Sequence, residues 1–237
     1  IAKQYNIPFH VDACLGGFIT QFSSKLSFTF EQNIDSISVD PHKYGYAPKG
    51  SSILLWKNKK LKHNQYFIVS DWTGGIYASV SLPGSRVGAQ IATTWASILY
   101  HGYNKYNLMA EKILQKTVEV KHRINNIDTF HVIGNPNVNV VAFYSEKYSV
   151  SQIVDFISEE GWNLNILQNP ICLHICITPK NINHLSELLM LLEKLTIAEV
   201  NETNKSIASI YGISAKIPDK SIIDSIVERY LDMTTSI

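Results

Sequence analysis

Short apolar segments separated by glycine and proline dominate the first hundred residues. The segments with a strand pattern are IPFHVDA, SISVD and SSILLWK, and the stretch WTGGIYASVSLPGSRVGAQ leads into a helical pattern, IATTWASILYHGYNKY. Strands that are apolar throughout, joined by turns and helices, are typical of the buried sheet of an α/β layer. The sequence therefore predicts an α/β fold with a mostly parallel sheet for this part of the chain.

Longer amphipathic patterns replace the short strands after residue 105. Two-strand patterns, FHVIGNPNVNVVAFYSEK and NLNILQNPICLHICITP, alternate with helical ones. The helical segment that begins at Ser149 meets Gly161 at its end, the usual capping asymmetry, and the next helix is expected to be entered through Asn181. Two helices on a small antiparallel sheet indicate an α+β domain. We therefore divide the chain into a partial large domain, residues 1–105, and a small α+β domain, residues 106–237.

The end of the small domain is predicted as a linker followed by a helix. The linker-like segment is NETNKSIASIYGISAKIPDKS, and the amphipathic helix is SIIDSIVERYLDM. We expect this helix to have a surface or interface role.

The composition excludes several classes of partner. Lysine and arginine total 21 against 20 acidic residues, which gives no electrostatic argument for nucleic acid or an anionic membrane. A small molecule or another protein is expected instead. The three cysteines, Cys14, Cys172 and Cys176, have no metal-ligand spacing and indicate a reducing compartment. No segment approaches the roughly 18 to 20 apolar residues that span a bilayer, so we expect a soluble chain.

An aspartate and a lysine follow two of the predicted strands. Asp12 ends IPFHVD, and Lys43 follows His42 in SISVDPHKYGYAPKGSS. Ligands of open α/β sheets gather at the carboxyl ends of strands, a buried carboxylate requires a cationic partner, and a desolvated lysine can attack a carbonyl. Pyridoxal phosphate, held by a Schiff-base lysine and an acid at its ring nitrogen, meets both conditions. The alternative is an Asp12 that caps the following helix and a Lys43 on a loop.

Four segments resemble one known family. HVDACLGGF, SISVDPHKYGYAPKGSS, DWTGGIYASVSLPGSR and YGISAKIPD resemble the sphingosine-1-phosphate lyases, in the group II decarboxylase-like branch of fold-type I pyridoxal-phosphate enzymes. Many decarboxylases share the His-Lys pair, whereas HKYGYAPKGSS followed by GGIYAS and GSR is more specific to the lyases. The resemblance covers essentially the whole chain, and it implies the C-terminal part of the large domain followed by the small domain.

The resemblance also implies roles for individual residues. Lys43 attaches pyridoxal 5'-phosphate and Asp12 pairs with its ring nitrogen. His42 lies near the phosphate. Apart from the resemblance, Ser38 is a candidate phosphate contact, although a serine in such a segment is more often only a strand residue. Ser85 reaches the phosphate of a neighbouring subunit, because active sites in this fold lie at a homodimer interface.

Other residues near these motifs are less defined. Tyr77 and Arg86 share the interface loop of Ser85, with open roles, and His10 is expected to be a core or strand-edge residue. Pro41 stands where the lyases usually carry threonine, which removes a possible hydroxyl contact to the phosphate. No metal ligand is expected.

The activity implied by the resemblance is a carbon–carbon cleavage. A phosphorylated long-chain base such as sphingosine 1-phosphate would give phosphoethanolamine and a long-chain aldehyde, as in sphingolipid breakdown. Two alternatives stay open: a pyridoxal-phosphate-dependent amino-acid decarboxylase, and an inactive remnant that acts only through dimerisation. The resemblance further implies a preceding part of the large domain, a membrane anchor before it, and a location on the cytosolic face of the endoplasmic reticulum.

Overall fold

The computed structural model describes residues 1–23, 26, 28–198 and 217–235. It divides into two compact units, Ile1–Lys112 and Ile113–Ile237. The fold prediction of an α/β part followed by an α+β part agrees with the elements of the two units, whereas the domain boundary after residue 105 stays a prediction.

The first unit contains a three-stranded sheet in the order β1-β2-β3. Its strands are β1 (His10–Asp12), β2 (Ser36–Val39) and β3 (Ile53–Trp56). β1 and β2 are parallel, with Asp12 opposite Ser38, and β3 is antiparallel to β2. Three of the predicted strand segments are thus confirmed, and two of them end at the same edge of the sheet.

Side chains of this sheet alternate between a polar and an apolar face. In the register of β1 and β2, His10 pairs with Ser36 and Asp12 pairs with Ser38, so all four side chains lie on the same face of the sheet. The opposite face packs into a small hydrophobic core. Its members are Val11, Ala13, Phe28, Phe30, Ile34, Ile37 and Val39. The apolar face therefore anchors the sheet and leaves the polar face to carry chemistry.

A second, two-stranded sheet and short helices complete this unit. The hairpin consists of β4 (Phe67–Val69) and β5 (Tyr77–Ser79), and β4 was not expected from the sequence. The helices α1 (Gly17–Thr20) and α2 (Lys59–Lys62) are one turn each.

One long helix, α3, runs from Gly88 to Asn126. Gly102 breaks it with φ 62° and ψ 171°, a conformation that glycine adopts without the steric cost that a side chain would bring. The break therefore lies inside the first of the two predicted helical patterns, IATTWASILYHGYNKY, and not at the boundary between the two patterns.

The second unit is built on an antiparallel sheet in the order β6-β7-β9-β8. Its strands are β6 (Phe130–Val132), β7 (Val140–Ser145), β8 (Asn165–Leu167) and β9 (Cys172–Cys176). β6 with β7 and β8 with β9 form the two expected hairpins. Cys172 is buried as predicted, and Cys176 on the same strand face is half-buried.

Two helices accompany this sheet. α4 (Val150–Ser158) begins at the predicted cap, Ser149, whose side chain accepts from the N–H of Gln152. α5 (Leu185–Leu195) buries five leucines completely along one face. They are Leu185, Leu188, Leu189, Leu192 and Leu195. The predicted start of α5 is wrong: its cap position is His184.

A last helix, α6 (Ser221–Thr235), confirms the predicted C-terminal helix. The linker before it, including most of YGISAKIPD, lies outside the described residues. Within the part of the chain that the structure describes, none of the helices combines the length and the apolar character needed to cross a bilayer.

Candidate functional site

Polar side chains meet where β1 and β2 end. The Ser38 hydroxyl donates to Asp12 Oδ1 over 3.2 Å, and the backbone N–H of Cys14 donates to the same oxygen over 3.0 Å. His10 Nε2 and Cys14 Sγ each lie 3.2 Å from Ser38 Oγ. The Asp12 carboxylate is therefore held in one orientation by the strand end itself.

Asp12 is exposed and ionised. The backbone hydrogen bond from Cys14, followed by the Cys14 and Ser38 side chains, lowers the pKa of Asp12, and the charge of Lys43 lowers it slightly further. Asp12 is exposed in this chain because the polar face of the sheet is open at this end, and its burial in a complete site stays a prediction. The alternative of a helix cap is wrong, since α1 has Gly16 at its cap position.

Lys43 lies in a turn that directly follows β2. Its backbone N–H donates to the Asp40 carbonyl over 3.0 Å, and its Nζ lies 2.9 Å from Asp40 Oδ2. The Asp40 side chain is only 9% exposed, against 35% for Lys43. The hydrogen bond to Asp40 raises the pKa of Lys43 despite the opposing effect of burial. The expectation of a readily deprotonated Lys43 is therefore wrong in this structure.

Asp40 is a site residue that the sequence interpretation missed. It follows β2 just as Asp12 ends β1, and its N–H donates to the Cys14 carbonyl over 3.3 Å. Burial alone would raise the pKa of Asp40, but polar contacts, led by those of Ser52 and Lys43, lower it below its usual value. The strand-end argument that selected Asp12 would have selected Asp40 too.

The loop after Lys43 is fixed by α3. The Tyr106 hydroxyl and the Ser97 hydroxyl both donate to the Gly45 carbonyl, over 2.7 and 3.2 Å. A methyl group at Gly45 would lie 2.6 Å from the Pro41 carbonyl oxygen, so only glycine fits there. Tyr46 has a positive φ of 55°, and burial raises its pKa to about 12. These contacts hold the backbone that presents Lys43.

The two residues predicted to contact the phosphate, His42 and Ser38, are engaged in other contacts. His42 contacts the Ser51 carbonyl through Nδ1, and its Nε2 lies 3.9 Å from Asp40 Oδ2. The Ser38 hydroxyl contacts Asp12, His10 and Cys14, as described above. A phosphate contact of either residue stays a prediction.

Ser85 lies in an exposed segment between β5 and α3. Arg86 folds back on this segment and donates to the Ser85 carbonyl over 3.1 Å and to the Ser81 hydroxyl over 3.1 Å. Tyr77, on β5, is 41% exposed. The role of Ser85 toward a second subunit stays a prediction.

The chemistry of the site fits an aldehyde cofactor with a basic ring nitrogen. A primary amine, Lys43, and an ionised carboxylate, Asp12, lie near the ends of two neighbouring parallel strands, within electrostatic range of each other. Among the residues that the structure describes, no cluster of His, Cys, Asp or Glu has the makings of a metal site.

Comparison with known proteins places the chain in a family. Residues 1–146 match the family model of the pyridoxal-dependent decarboxylase conserved domain. The chain belongs to this decarboxylase family. Within the family it is 38% identical to the sphingosine-1-phosphate lyase of Dictyostelium discoideum, over 98% of this chain and 46% of that protein. It is 36% identical to sphingosine-1-phosphate lyase 1 of Rattus norvegicus, over 98% of this chain and 43% of the relative. The resemblance to these lyases is confirmed.

Solved structures of family members agree. A sphingosine-1-phosphate lyase from Burkholderia pseudomallei matches with a TM-score of 0.81 and 29% identity, over 99% of this chain and 51% of that chain. The glutamate decarboxylase of Lactobacillus brevis shares the fold, with a TM-score of 0.68 at 19% identity over 83% of this chain and 49% of the other. The predicted fold class is confirmed. The chain spans about half the length of the curated relatives it matches.

Proposed function

We propose that this chain carries the cofactor-attaching half of a pyridoxal-phosphate-dependent carbon–carbon lyase that acts on phosphorylated long-chain bases such as sphingosine 1-phosphate. The observation that carries the proposal is the pair formed by Lys43 and Asp12 at the ends of β2 and β1. The substrate class rests on the similarity to proteins named sphingosine-1-phosphate lyases along 98% of the chain.

Each residue has one task in this proposal. Lys43 holds the cofactor covalently through its amine, and Asp12 accepts a hydrogen bond from the ring nitrogen and keeps its proton in place. Bound pyridoxal phosphate supplies a ring that takes up the electron pair of the bond that breaks. Ser38 and Cys14 keep the Asp12 carboxylate oriented and ionised through the contacts described above.

The overall reaction is a retro-aldol cleavage. The 3-hydroxyl of the long-chain base loses its proton, the bond between C2 and C3 breaks, and C3 becomes the aldehyde carbon. C2 takes up a proton, a step that we assign to Lys43, and the fragment that contains C2 leaves as phosphoethanolamine. The described residues do not identify the base at the 3-hydroxyl.

We further infer a homodimer. α3 presents three large apolar side chains at a spacing of four residues, Ile91, Trp95 and Leu99, each between 60% and 65% exposed. We call these residues the α3 stripe. Monomeric proteins rarely expose such a contiguous apolar surface. In a chain that spans about half the length of its relatives, either the other half or a second copy can cover it, and we propose the second copy because it agrees with the predicted role of Ser85. The endoplasmic-reticulum location rests on the resemblance alone.

The test of the cofactor assignment is covalent labelling. The purified chain is mixed with pyridoxal phosphate, scanned for a visible absorption band, reduced with borohydride and mapped by peptide mass. We expect the label on Lys43 and its loss in Lys43→Arg, which keeps a cation beside Asp40. Lys180→Arg, at an exposed position, is the matched control. No label on Lys43, either in the chain alone or with the preceding half of a relative supplied, would overturn the proposal.

The test of the reaction compares products. A separate preparation, loaded with pyridoxal phosphate but not reduced and supplied with the preceding half of a relative, is incubated with a phosphorylated sphingoid base or with amino acids, and long-chain aldehyde and carbon dioxide are measured. Aldehyde release supports the lyase. Carbon dioxide alone would identify an amino-acid decarboxylase instead.

A further inference from the structure

Asp40 and Lys43 form an ion pair at the point where a cofactor aldehyde would attach. The distance of 2.9 Å between Asp40 Oδ2 and Lys43 Nζ is that of a charge-assisted hydrogen bond. The turn that joins them is closed by the backbone bond from Lys43 N–H to the Asp40 carbonyl. The carboxylate is therefore fixed relative to the backbone of the lysine it binds.

The pair is asymmetric in its burial. Asp40 is 7% exposed, and burying a carboxylate is costly unless a cation compensates it. Lys43 is more open, so its amine can leave the carboxylate and reach a ligand on the polar face of the sheet. Lys43 therefore has a buried, fixed partner in Asp40, and its amine is accessible from the polar face of the sheet.

We propose that Asp40 is a positioning residue. It binds the Lys43 ammonium before a cofactor is attached, and it controls the loss of the proton that must precede attachment to an aldehyde. This inference rests on the proposed function and adds to it a residue that controls cofactor attachment. It assigns to Asp40 no contact with substrate.

The attachment step balances without further reactants. An ammonium has no lone pair, so Lys43 must first lose a proton; Asp40 stays ionised, and the proton goes to water. The neutral amine then forms a nitrogen–carbon double bond with the aldehyde carbon, and the aldehyde oxygen leaves as one water molecule. No oxidant or reductant takes part.

Several titratable groups lie around the Asp40–Lys43 pair. From the end of β2 these are Asp40 and, 3.9 Å from its carboxylate, His42; from the end of β1 they are Asp12 and Cys14. Hydrogen bonding to Asp40 is the largest influence on the pKa of Lys43 and raises it, while Asp12 and Cys14 act in the same direction more weakly. Removing the Asp40 charge should therefore release the proton at lower pH.

The first experiment needs no cofactor. The full chain is treated with a trace of acetic anhydride at pH 8, and the acetylation of Lys43 is compared by peptide mass with that of exposed Lys180. We expect Lys43 to react more slowly than Lys180 in the wild-type chain. In Asp40→Asn, whose amide oxygen still accepts from the amine, the ratio should rise roughly three- to tenfold, because loss of the carboxylate charge increases the fraction of neutral amine.

The second experiment measures attachment of pyridoxal phosphate against pH. In Asp40→Asn the pH at which borohydride-trapped label on Lys43 reaches half its maximal rate should fall, and Asp128→Asn, an exposed charge change, should leave it unchanged. A merely structural role of Asp40 would not shift this midpoint.

The two experiments separate the possible failures. Equal acetylation ratios in the wild-type chain and Asp40→Asn would overturn the inference even if label attaches to Lys43. The wild-type comparison decides the matter on its own if Asp40→Asn does not fold: a Lys43 that reacts as fast as Lys180 excludes the proposed hold on its proton. Absence of label in every variant, with the acetylation ratio changed as expected, would overturn the proposed function and with it the role of Asp40 in attachment.

Discussion

A substitution can remove the charge of Asp12 and keep its hydrogen bonds. In Asp12→Asn the amide oxygen still accepts from the Cys14 N–H and the Ser38 hydroxyl, the two contacts of Oδ1. We expect the free energy of unfolding to change by less than about 0.5 kcal/mol. Aldehyde release, with the preceding half of the large domain supplied, should fall at least about a hundredfold, as for loss of a group that stabilises developing charge. Asp128→Asn is the control, and near-normal turnover of Asp12→Asn would refute the assignment.

His101 gives the stability of the first unit a dependence on pH. Its ring lies 5.3 Å from Tyr46 and 5.5 Å from Tyr106, the residues that hold the Lys43 loop. Burial, and then the charge of Lys105, lowers the pKa of His101 below 6.5. The unfolded chain therefore binds a proton that the folded chain resists, and stability is lost as pH falls below 6.5 toward the lower folded pKa.

The corresponding measurement is denaturant unfolding at several pH values. His101→Phe keeps a ring in the cluster and removes the titration. We expect the wild-type chain to lose more stability than His101→Phe between pH 7 and pH 5. Parallel pH profiles for the two proteins would show that His101 does not titrate as described.

At the level of residues, the sequence selects Lys43 and Asp12 through one chemical requirement: ligands of open α/β sheets gather at the carboxyl ends of strands. Their roles toward a cofactor stay predictions. Asp40 was missed because the interpretation of SISVDPHKYGYAPKGSS rested on the His42–Lys43 pair, although the strand-end argument applies to Asp40 as well. The exposure of Asp12 could not be predicted, since it depends on what covers the polar face of the sheet and not on the strand itself.

At the level of elements, the cap of α4 should be measurable. Ser149 accepts from Gln152 N–H over 3.2 Å, and the Gln152 side chain accepts from Ser149 N–H over 2.9 Å, a complete capping box. Ser149→Ala removes one half of it and should cost about 1 kcal/mol of unfolding free energy. Ser149→Thr, which keeps the hydroxyl, is the matched control in urea unfolding. Equal midpoints for the two variants would mean that the cap contributes nothing.

Elements were predictable in proportion to their length and periodicity. α4 has both a cap and an apolar face, and the hairpins of the second unit follow from alternating patterns around turn residues. β4 was missed because a three-residue strand, Phe67–Val69, carries too little pattern to be recognised. The start of α5 was misplaced because the Asn181 side chain accepts from the Thr178 N–H, in a turn before the helix.

At the level of the whole molecule, the groups of the proposed cofactor site lie on an open sheet. The amine of Lys43 and the carboxylate of Asp12 are both in the first unit, and the chain spans about half the length of its relatives. Attachment of a cofactor aldehyde depends on the Lys43 amine. Complete turnover depends in addition on the other groups that contact the substrate. For this reason the labelling test and the product test address different parts of the proposed function.

The α3 stripe leads to the prediction about assembly. Trp95 is 65% exposed, so Trp95→Glu should not disturb folding, and glutamate is a good helix former. In a dimer formed through the stripe, however, it would bury a charge against a second copy, at a cost of several kcal/mol. Sedimentation velocity at micromolar concentration should therefore show a dimer for the wild-type chain and a monomer for Trp95→Glu.

A control on another helix gives this experiment its specificity. Tyr230 on α6 is also an exposed aromatic residue, at 64%, and Tyr230→Glu adds the same charge outside the stripe. We expect this variant to remain dimeric. Dissociation by Tyr230→Glu alone would move the interface to α6, and a monomeric wild-type chain would contradict the stripe as a self-association surface. Loss of the dimer in Trp95→Glu with Lys43 labelling retained would show that cofactor attachment is a property of one subunit, because Lys43 and Asp40 belong to the same turn.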